Sequence, residues 1–161
     1  MGKKKAVKKQ QPFQVGAGYG WTTMSVDAMT EKFKKVTEKV AALQANHKID
    51  ALAFAGSSGC AIAFILSVAL QIPLIYVRKE GEKSHGSDIE GNAWKGVTKY
   101  LIVDDFIDEG NTMNHIYDKI NDRAKSYGQV APECVGIFLY FPYGLTHRFC
   151  FNDDVVVPVF R

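Results

Sequence analysis

Two helix-like patterns stand out along the chain. The first follows Ser25, a residue able to cap a helix, and its apolar positions recur three and four residues apart at Met29, Phe33, Val36, Val40 and Leu43. The second covers about residues 111–127 and places four apolar residues on one side: Met113, Ile116, Tyr117 and Ile120. Each pattern predicts an amphipathic helix that covers one face of a sheet.

Short, continuous apolar runs predict buried strands at residues 49–55, 72–77, 99–106 and 134–141, and a further strand is predicted at 155–160. The last run contains Pro158, which favours an edge strand. Residues 59–77 are apolar enough to resemble a membrane span, but Gln71 and Pro73 divide them into a helix and a strand. The alternation of strands and helices predicts an α/β fold with a mostly parallel open sheet flanked by helices.

The composition and charge of the chain indicate how it is divided into a domain and a tail. With 161 residues, 47% of them hydrophobic and 23% charged, the chain is predicted to form one domain, residues 12–161. The net charge of +3 comes from five lysines in a tail, residues 1–11, without which the remainder carries −2. We expect the tail to be mobile rather than to bind nucleic acid, because its lysine run contains no Arg or aromatic residue.

The three cysteines are widely spaced and form no Cys-x-x-Cys pair, which favours neither a disulfide framework nor a zinc site. No apolar signal-peptide core follows the lysines. A reducing compartment and a cytoplasmic location are therefore expected, with no membrane partner.

The most informative stretch is residues 101–112, where an apolar run leads through two adjacent carboxylates into a Gly/Asn/Thr turn and a helix. A helix N-terminus offers free N–H groups to a phosphate, and carboxylates accept hydrogen bonds from sugar hydroxyls. This order favours a phosphorylated sugar as the ligand. An ordinary strand-turn-helix corner is the alternative, since Asp, Gly, Asn and Thr are common in turns.

The same stretch closely resembles the phosphoribosyl-pyrophosphate signature of the type I phosphoribosyltransferases. The resemblance implies that Asp104 and Asp105 hold the ribose hydroxyls, directly or through Mg²⁺ as the cofactor. It further implies a 5-phosphate site formed by Asp108, Glu109, Gly110, Asn111 and Thr112. In purine enzymes of this family an acid at the place of Asp108 assists proton transfer, so Asp108 is also a catalytic candidate.

Two further loops follow predicted strands and resemble other parts of the family. The run Gly56, Ser57, Ser58 and Gly59 is similar to the pyrophosphate-binding loop. The charged connection 78–95 is similar to the flexible catalytic lid of the orotate branch, with Arg78 and Lys79 at the pyrophosphate and Lys83 and His85 as catalytic cover for the leaving group. A solvated charged loop is the alternative for this connection.

The base site is the least defined by the sequence. Phe106, Tyr140 and Phe141 are candidates, together with a small hood at about residues 140–161. The implied activity is Mg²⁺-dependent transfer of a phosphoribosyl group to a nucleobase in nucleotide metabolism or salvage, by a homodimer as is common in the family. Asp108 resembles the purine enzymes, whereas the lid resembles the orotate branch, so the resemblance does not determine which base is used. A non-catalytic sensor of phosphoribosyl pyrophosphate with a nucleic-acid-binding arm is the rival hypothesis.

Overall fold

The computed structural model describes residues 20–82, 86–92, 96–141, 144 and 146–161. A short 3₁₀ helix, Gly20–Thr23, precedes three α-helices: α1 (Val26–His47), α2 (Gly56–Leu70) and α3 (Asn111–Ser126). Seven strands accompany them: β1 (Ala51–Phe54), β2 (Leu74–Val77), β3 (Ile89–Gly91), β4 (Lys99–Asp104), β5 (Glu133–Leu139), β6 (Arg148–Phe151) and β7 (Val155–Phe160).

The strands form one open sheet in the order β3-β2-β1-β4-β5-β7-β6. The five central strands are parallel, whereas β3 and β6 pair antiparallel at the two ends. The predicted α/β fold with a mostly parallel sheet is confirmed.

Helices cover both faces of this sheet. Val36 and Val40 of α1 share one core cluster with residues of α2, while α3 packs into a second cluster on the other face. From β1 the chain crosses through α2 to β2 on one side, and from β4 it crosses through α3 to β5 on the other. Right-handed crossovers in opposite directions place their helices on opposite faces.

The predicted helix after Ser25 is confirmed as α1, and the Ser25 side chain accepts a hydrogen bond from the Ala28 N–H at 3.2 Å. The five predicted strands are also present: β1, β2, β4 and β5 are one to three residues shorter than predicted, and β7 has the predicted bounds. Residues 12–19, which precede the 3₁₀ helix Gly20–Thr23, lie outside the described part of the chain, as does the lysine tail.

Three features differ from the sequence-based expectations. Gly56, Ser57, Ser58 and Gly59 are the first turn of α2 rather than a loop, because Gly56 at φ +64° turns the chain directly from β1 into the helix. The charged connection 78–95 contains β3, which extends the sheet beside β2.

Strand β7 was predicted at an edge, and this is wrong. It lies between β5 and β6, because a tight turn with positive φ at Asn152 and Asp153 folds β6 back along it. The segment considered as a hood, residues 140–161, thus contributes two strands to the main sheet.

Among the described helices, none is long and apolar enough to cross a membrane.

Candidate functional site

A cavity of about 350 Å³ opens at the carboxyl ends of β1 and β4. These neighbouring strands send their connections in opposite directions, which creates a crevice outside the sheet where open α/β folds bind ligands. The cavity is lined by Ser58 of α2, by Lys79 after β2, and by residues 104–113. The structure therefore brings together one part of each of the three candidate segments.

The acid pair forms the floor of this site. Asp104 and Asp105 are 5% and 6% exposed, although they are charged residues. One oxygen of Asp104 accepts hydrogen bonds from the Ser58 hydroxyl at 2.8 Å and from the Asp105 N–H at 2.9 Å. Burial raises the pKa of Asp104 to about 6, and the adjacent Asp105 acts in the same direction, while the Ser58 hydrogen bond opposes it. These carboxylates are suited to hydroxyl donors or a cation.

The turn before α3 forms a corner that is suited to an anion. Gly110 precedes the helix at φ +85°, and the first turn of α3 contains no acidic residue, so the backbone N–H groups of that turn form the positive end of the helix dipole. A Cβ at Gly110 would lie 2.6 Å from the ring of Phe149 on β6. Both the backbone angle and the close ring therefore require glycine here. The Glu109 carboxylate accepts from the Asn111 side chain at 2.9 Å.

The four residues at the start of α2 have different positions. Ser58 lines the cavity, and Ser57 is exposed. Gly56 makes room for the Lys79 side chain, whose Cε would lie 2.5 Å from a Cβ at this position. A Cβ at Gly59 would meet Val103 O at 3.0 Å, so Gly59 lets α2 approach the sheet and does not face the cavity.

Arg78 lies outside the cavity, unlike its neighbour Lys79. Its guanidinium makes a bidentate pair with Glu90 of β3, with both oxygens at 2.9 Å from Nη2, and it lies over the Tyr76 ring. The two predicted catalytic residues of this connection, Lys83 and His85, lie outside the described residues.

The base-site candidates occupy two different environments. Phe106 lines the cavity. Tyr140 is 4% exposed and its hydroxyl donates to Ser58 O at 3.0 Å, which is a structural contact. Phe141 is half-buried. Its N–H donates to Asp105 O at 3.1 Å, which places Phe141 beside the acid pair.

One residue near Phe141 was not found from the sequence. The Lys32 ammonium of α1 lies 4.3 Å from the centroid of the Phe141 ring. Burial, followed by the charge of Lys39, lowers the pKa of Lys32. Its position in the polar part of the α1 pattern gave no signal for this contact.

The described residues contain no group of three or more His, Cys, Asp or Glu side chains able to hold a metal ion. Mg²⁺ is usually held by one or two carboxylates together with phosphate and water oxygens. Asp104 and Asp105 fit this pattern, since they supply two buried carboxylates and leave the other ligand positions to the bound molecule.

No family model matches the chain, but its sequence is similar to those of orotate phosphoribosyltransferases. The orotate phosphoribosyltransferase of Listeria monocytogenes is 28% identical over 146 residues, which cover 86% of this chain and 66% of that protein. The orotate phosphoribosyltransferase of Rhizobium johnstonii is 30% identical over 99 residues, or 60% of this chain and 41% of that protein. The chain thus spans less than two thirds of these relatives.

Solved structures agree in fold. An adenine phosphoribosyltransferase superimposes with a TM-score of 0.54 at 19% identity, covering 80% of this chain and 78% of that one. The UMP synthase of Leishmania donovani gives 0.50 at 26% identity, with 66% and 21% covered.

The sheet order and the crevice at the strand switch define a doubly wound α/β protein with an acid pair and a corner suited to an anion in one cavity. In sequence the chain is similar to orotate phosphoribosyltransferases, and in fold it is similar to an adenine phosphoribosyltransferase of known structure.

Proposed function

We propose that the chain transfers a phosphoribosyl group from phosphoribosyl pyrophosphate to a nucleobase and releases pyrophosphate. The observation that carries this proposal is the single cavity that holds a buried acid pair, the N-terminus of α3 and Lys79. Carboxylates match ribose hydroxyls, the helix N-terminus matches the 5-phosphate, and the lysine matches the second phosphate-bearing end of the sugar.

In this reaction a ring nitrogen of the base gives up its proton and bonds to C1 of the ribose, and the C1–O bond to pyrophosphate breaks with its electron pair on oxygen. The sugar is cationic in the transition state, so the residues position the substrate and exclude water. The 108–112 turn holds the 5-phosphate, with the Thr112 hydroxyl assisting the amides. Asp104 and Asp105 accept from the ribose hydroxyls and would hold Mg²⁺, which would neutralise pyrophosphate charge.

The leaving-group side is assigned to Lys79, with Lys83 and His85 proposed from the sequence alone. Removing one donor aimed at developing charge typically costs about 2.7–4 kcal/mol of barrier, or roughly two to three powers of ten in turnover. Lys83→Ala should therefore lower turnover far more than it weakens phosphoribosyl-pyrophosphate binding. Equal losses in both quantities would contradict its role as cover.

The base is proposed to be an orotate-type pyrimidine or a 6-oxopurine. The names of the sequence relatives favour the first. The position of Asp108 in the cavity favours the second, because an acid there can exchange a proton with a purine. Phe106 and Phe141 are the proposed contacts for the base plane.

The decisive experiment measures pyrophosphate release from phosphoribosyl pyrophosphate and Mg²⁺ with orotate, uracil, adenine, hypoxanthine, guanine and xanthine. Turnover with one base confirms the proposal and names the substrate. Tight binding of phosphoribosyl pyrophosphate without turnover of any base would overturn catalysis and favour a sensor. Chelation of Mg²⁺ should abolish turnover.

We also propose that the protein is a cytoplasmic homodimer. Helix α2 contains no charged residue and exposes an apolar stripe in which Phe64 is 55% and Val68 is 74% exposed. Such a stripe on a helix usually marks a protein interface. Light scattering should give a dimer mass, and Val68→Lys should shift it to a monomer. A monomeric unsubstituted chain at micromolar concentration would contradict this.

A further inference from the structure

Helix α3 carries a polar stripe on the side opposite to its docking on β6. His115, Lys119 and Arg123 are spaced four residues apart and therefore share one helix face. All three side chains contact the connection between β2 and β3, residues 78–88. The stripe thus joins the helix that begins at the proposed phosphate site to the segment that carries Lys79.

Both ends of this connection are held by the stripe. The Arg78 N–H donates to Asp88 O at 2.9 Å, which closes the base of the connection. The Asp88 carboxylate accepts from the Lys119 ammonium at 3.2 Å and from the Arg123 guanidinium, while His115 Nε2 lies 2.7 Å from Arg78 O. Partial burial opposes ionisation of Asp88, yet the hydrogen bonds from Lys119 and Arg123 hold its pKa below the usual value.

Further contacts fix the backbone of Lys79. Its N–H donates to the Glu82 carboxylate at 3.1 Å, and the Glu82 N–H returns a hydrogen bond to Lys79 O. The Tyr76 hydroxyl also donates to Glu82 at 2.9 Å. With Arg78 paired to Glu90, Lys79 has little freedom except in its side chain, which passes over Gly56 into the cavity.

We propose that Asp88, acting through Lys119 and Arg123 of α3, is a positioning residue that sets Lys79 against the phosphate-binding end of that helix. One rigid helix then carries both the 5-phosphate corner and the anchor of the lysine at the other end of the sugar. This inference rests on the proposed function, because Lys79 is taken as a contact for phosphoribosyl pyrophosphate.

The test compares Asp88→Asn, which keeps the shape and removes the charge, with Asp122→Asn, which removes the same charge from an exposed position on α3. Calorimetry measures the Kd for phosphoribosyl pyrophosphate with Mg²⁺, alone and in the Lys79→Ala background. A role in stability alone would weaken binding equally in both backgrounds, whereas a positioning role acts only when Lys79 is present.

We expect Asp88→Asn to raise the Kd about fivefold to thirtyfold, the factor that corresponds to 1–2 kcal/mol. In the Lys79→Ala background the same substitution should change the Kd by less than about twofold, because the two effects are not independent. Lys119→Met should reproduce the loss if Asp88→Asn does not fold, and Asp122→Asn should bind normally.

Equal losses with and without Lys79, or normal binding by both Asp88→Asn and Lys119→Met, would overturn the inference while leaving the proposed function intact. Failure of the unsubstituted chain to bind phosphoribosyl pyrophosphate would overturn both. The two failures are therefore distinguished by the first titration alone.

Discussion

Replacing Asp104 by Asn should make the folded chain more stable above neutral pH. Asp104 is 5% exposed, and burial raises its pKa from 3.8 to about 6. The Asp104 carboxyl ionises at a lower pH in the unfolded chain than in the folded chain. Its contribution to the free energy of unfolding is therefore present at acidic pH and is lost as the pH rises through about 6. The lost benefit at pH 8 corresponds to about 3 kcal/mol, from about two pH units at 1.36 kcal/mol each.

Asparagine removes this pH-dependent cost and keeps an oxygen that can accept from Ser58 and from the Asp105 N–H. The free energy of unfolding of Asp104→Asn should therefore exceed that of the unsubstituted chain by about 3 kcal/mol at pH 8 and by much less at pH 4. The measurement is urea unfolding of both proteins at pH 4, 6 and 8, with Asp122→Asn as the exposed control. A gain that is equal at all three pH values, or absent at pH 8, would refute the reasoning.

The same substitution should damage ligand binding. A hydrogen bond to a charged acceptor contributes about 1.5–3 kcal/mol, so the Kd for phosphoribosyl pyrophosphate should rise roughly tenfold to a hundredfold. Stability and function would then change in opposite directions at one residue, as is common where a buried charge serves a site. Unchanged affinity would show that Asp104 does not contact the sugar.

Three other predictions follow from single contacts. Gly110→Ala should weaken phosphoribosyl-pyrophosphate binding and lower the free energy of unfolding by about 1–3 kcal/mol, because φ is +85° and Phe149 occupies the space; an unchanged melting temperature would contradict this. Arg78→Ala should destabilise the chain by about 1 kcal/mol, since its partner is Glu90, and should affect affinity less than Lys79→Ala does. The reverse order in titrations would favour Arg78 as a direct ligand. Affinity for phosphoribosyl pyrophosphate should fall as the pH drops through about 6, because protonated Asp104 accepts hydroxyl donors less well; a flat profile between pH 5 and 8 would argue against that contact.

Local signals in the sequence predicted most of the fold. The three- and four-residue spacing of apolar positions gave α1, and the order of apolar run, acids and glycine in residues 101–112 gave both the strand-turn-helix corner and the lining of the cavity. These patterns depend on neighbours within about one turn or one strand, which is why they can be read without tertiary information.

The features that sequence reasoning missed depend on distant partners. Strands β3 and β6 are short and carry charged or exposed residues, so only their pairing with β2 and β7 defines them. Arg78 was expected at the pyrophosphate from the family resemblance, and its pairing with Glu90, twelve residues further along the chain, could not be predicted from local sequence. The role of Gly59 in packing α2 onto Val103 is likewise set by a strand that follows much later.

The contact between Gly110 and Phe149 has a consequence for how the sheet can be altered. Phe149 lies on the outermost strand, yet its ring fills the space where a side chain on the phosphate corner would stand. The β6–β7 hairpin also holds α3 directly, through Phe151 stacked on Tyr117 and Asn152 bonded to Asp118. The β6–β7 hairpin does not line the cavity, but it supports the turn before α3 from behind as well as forming the border of the sheet. Shortening or displacing the β6–β7 hairpin should therefore reduce the affinity for phosphate before it destabilises the central parallel strands.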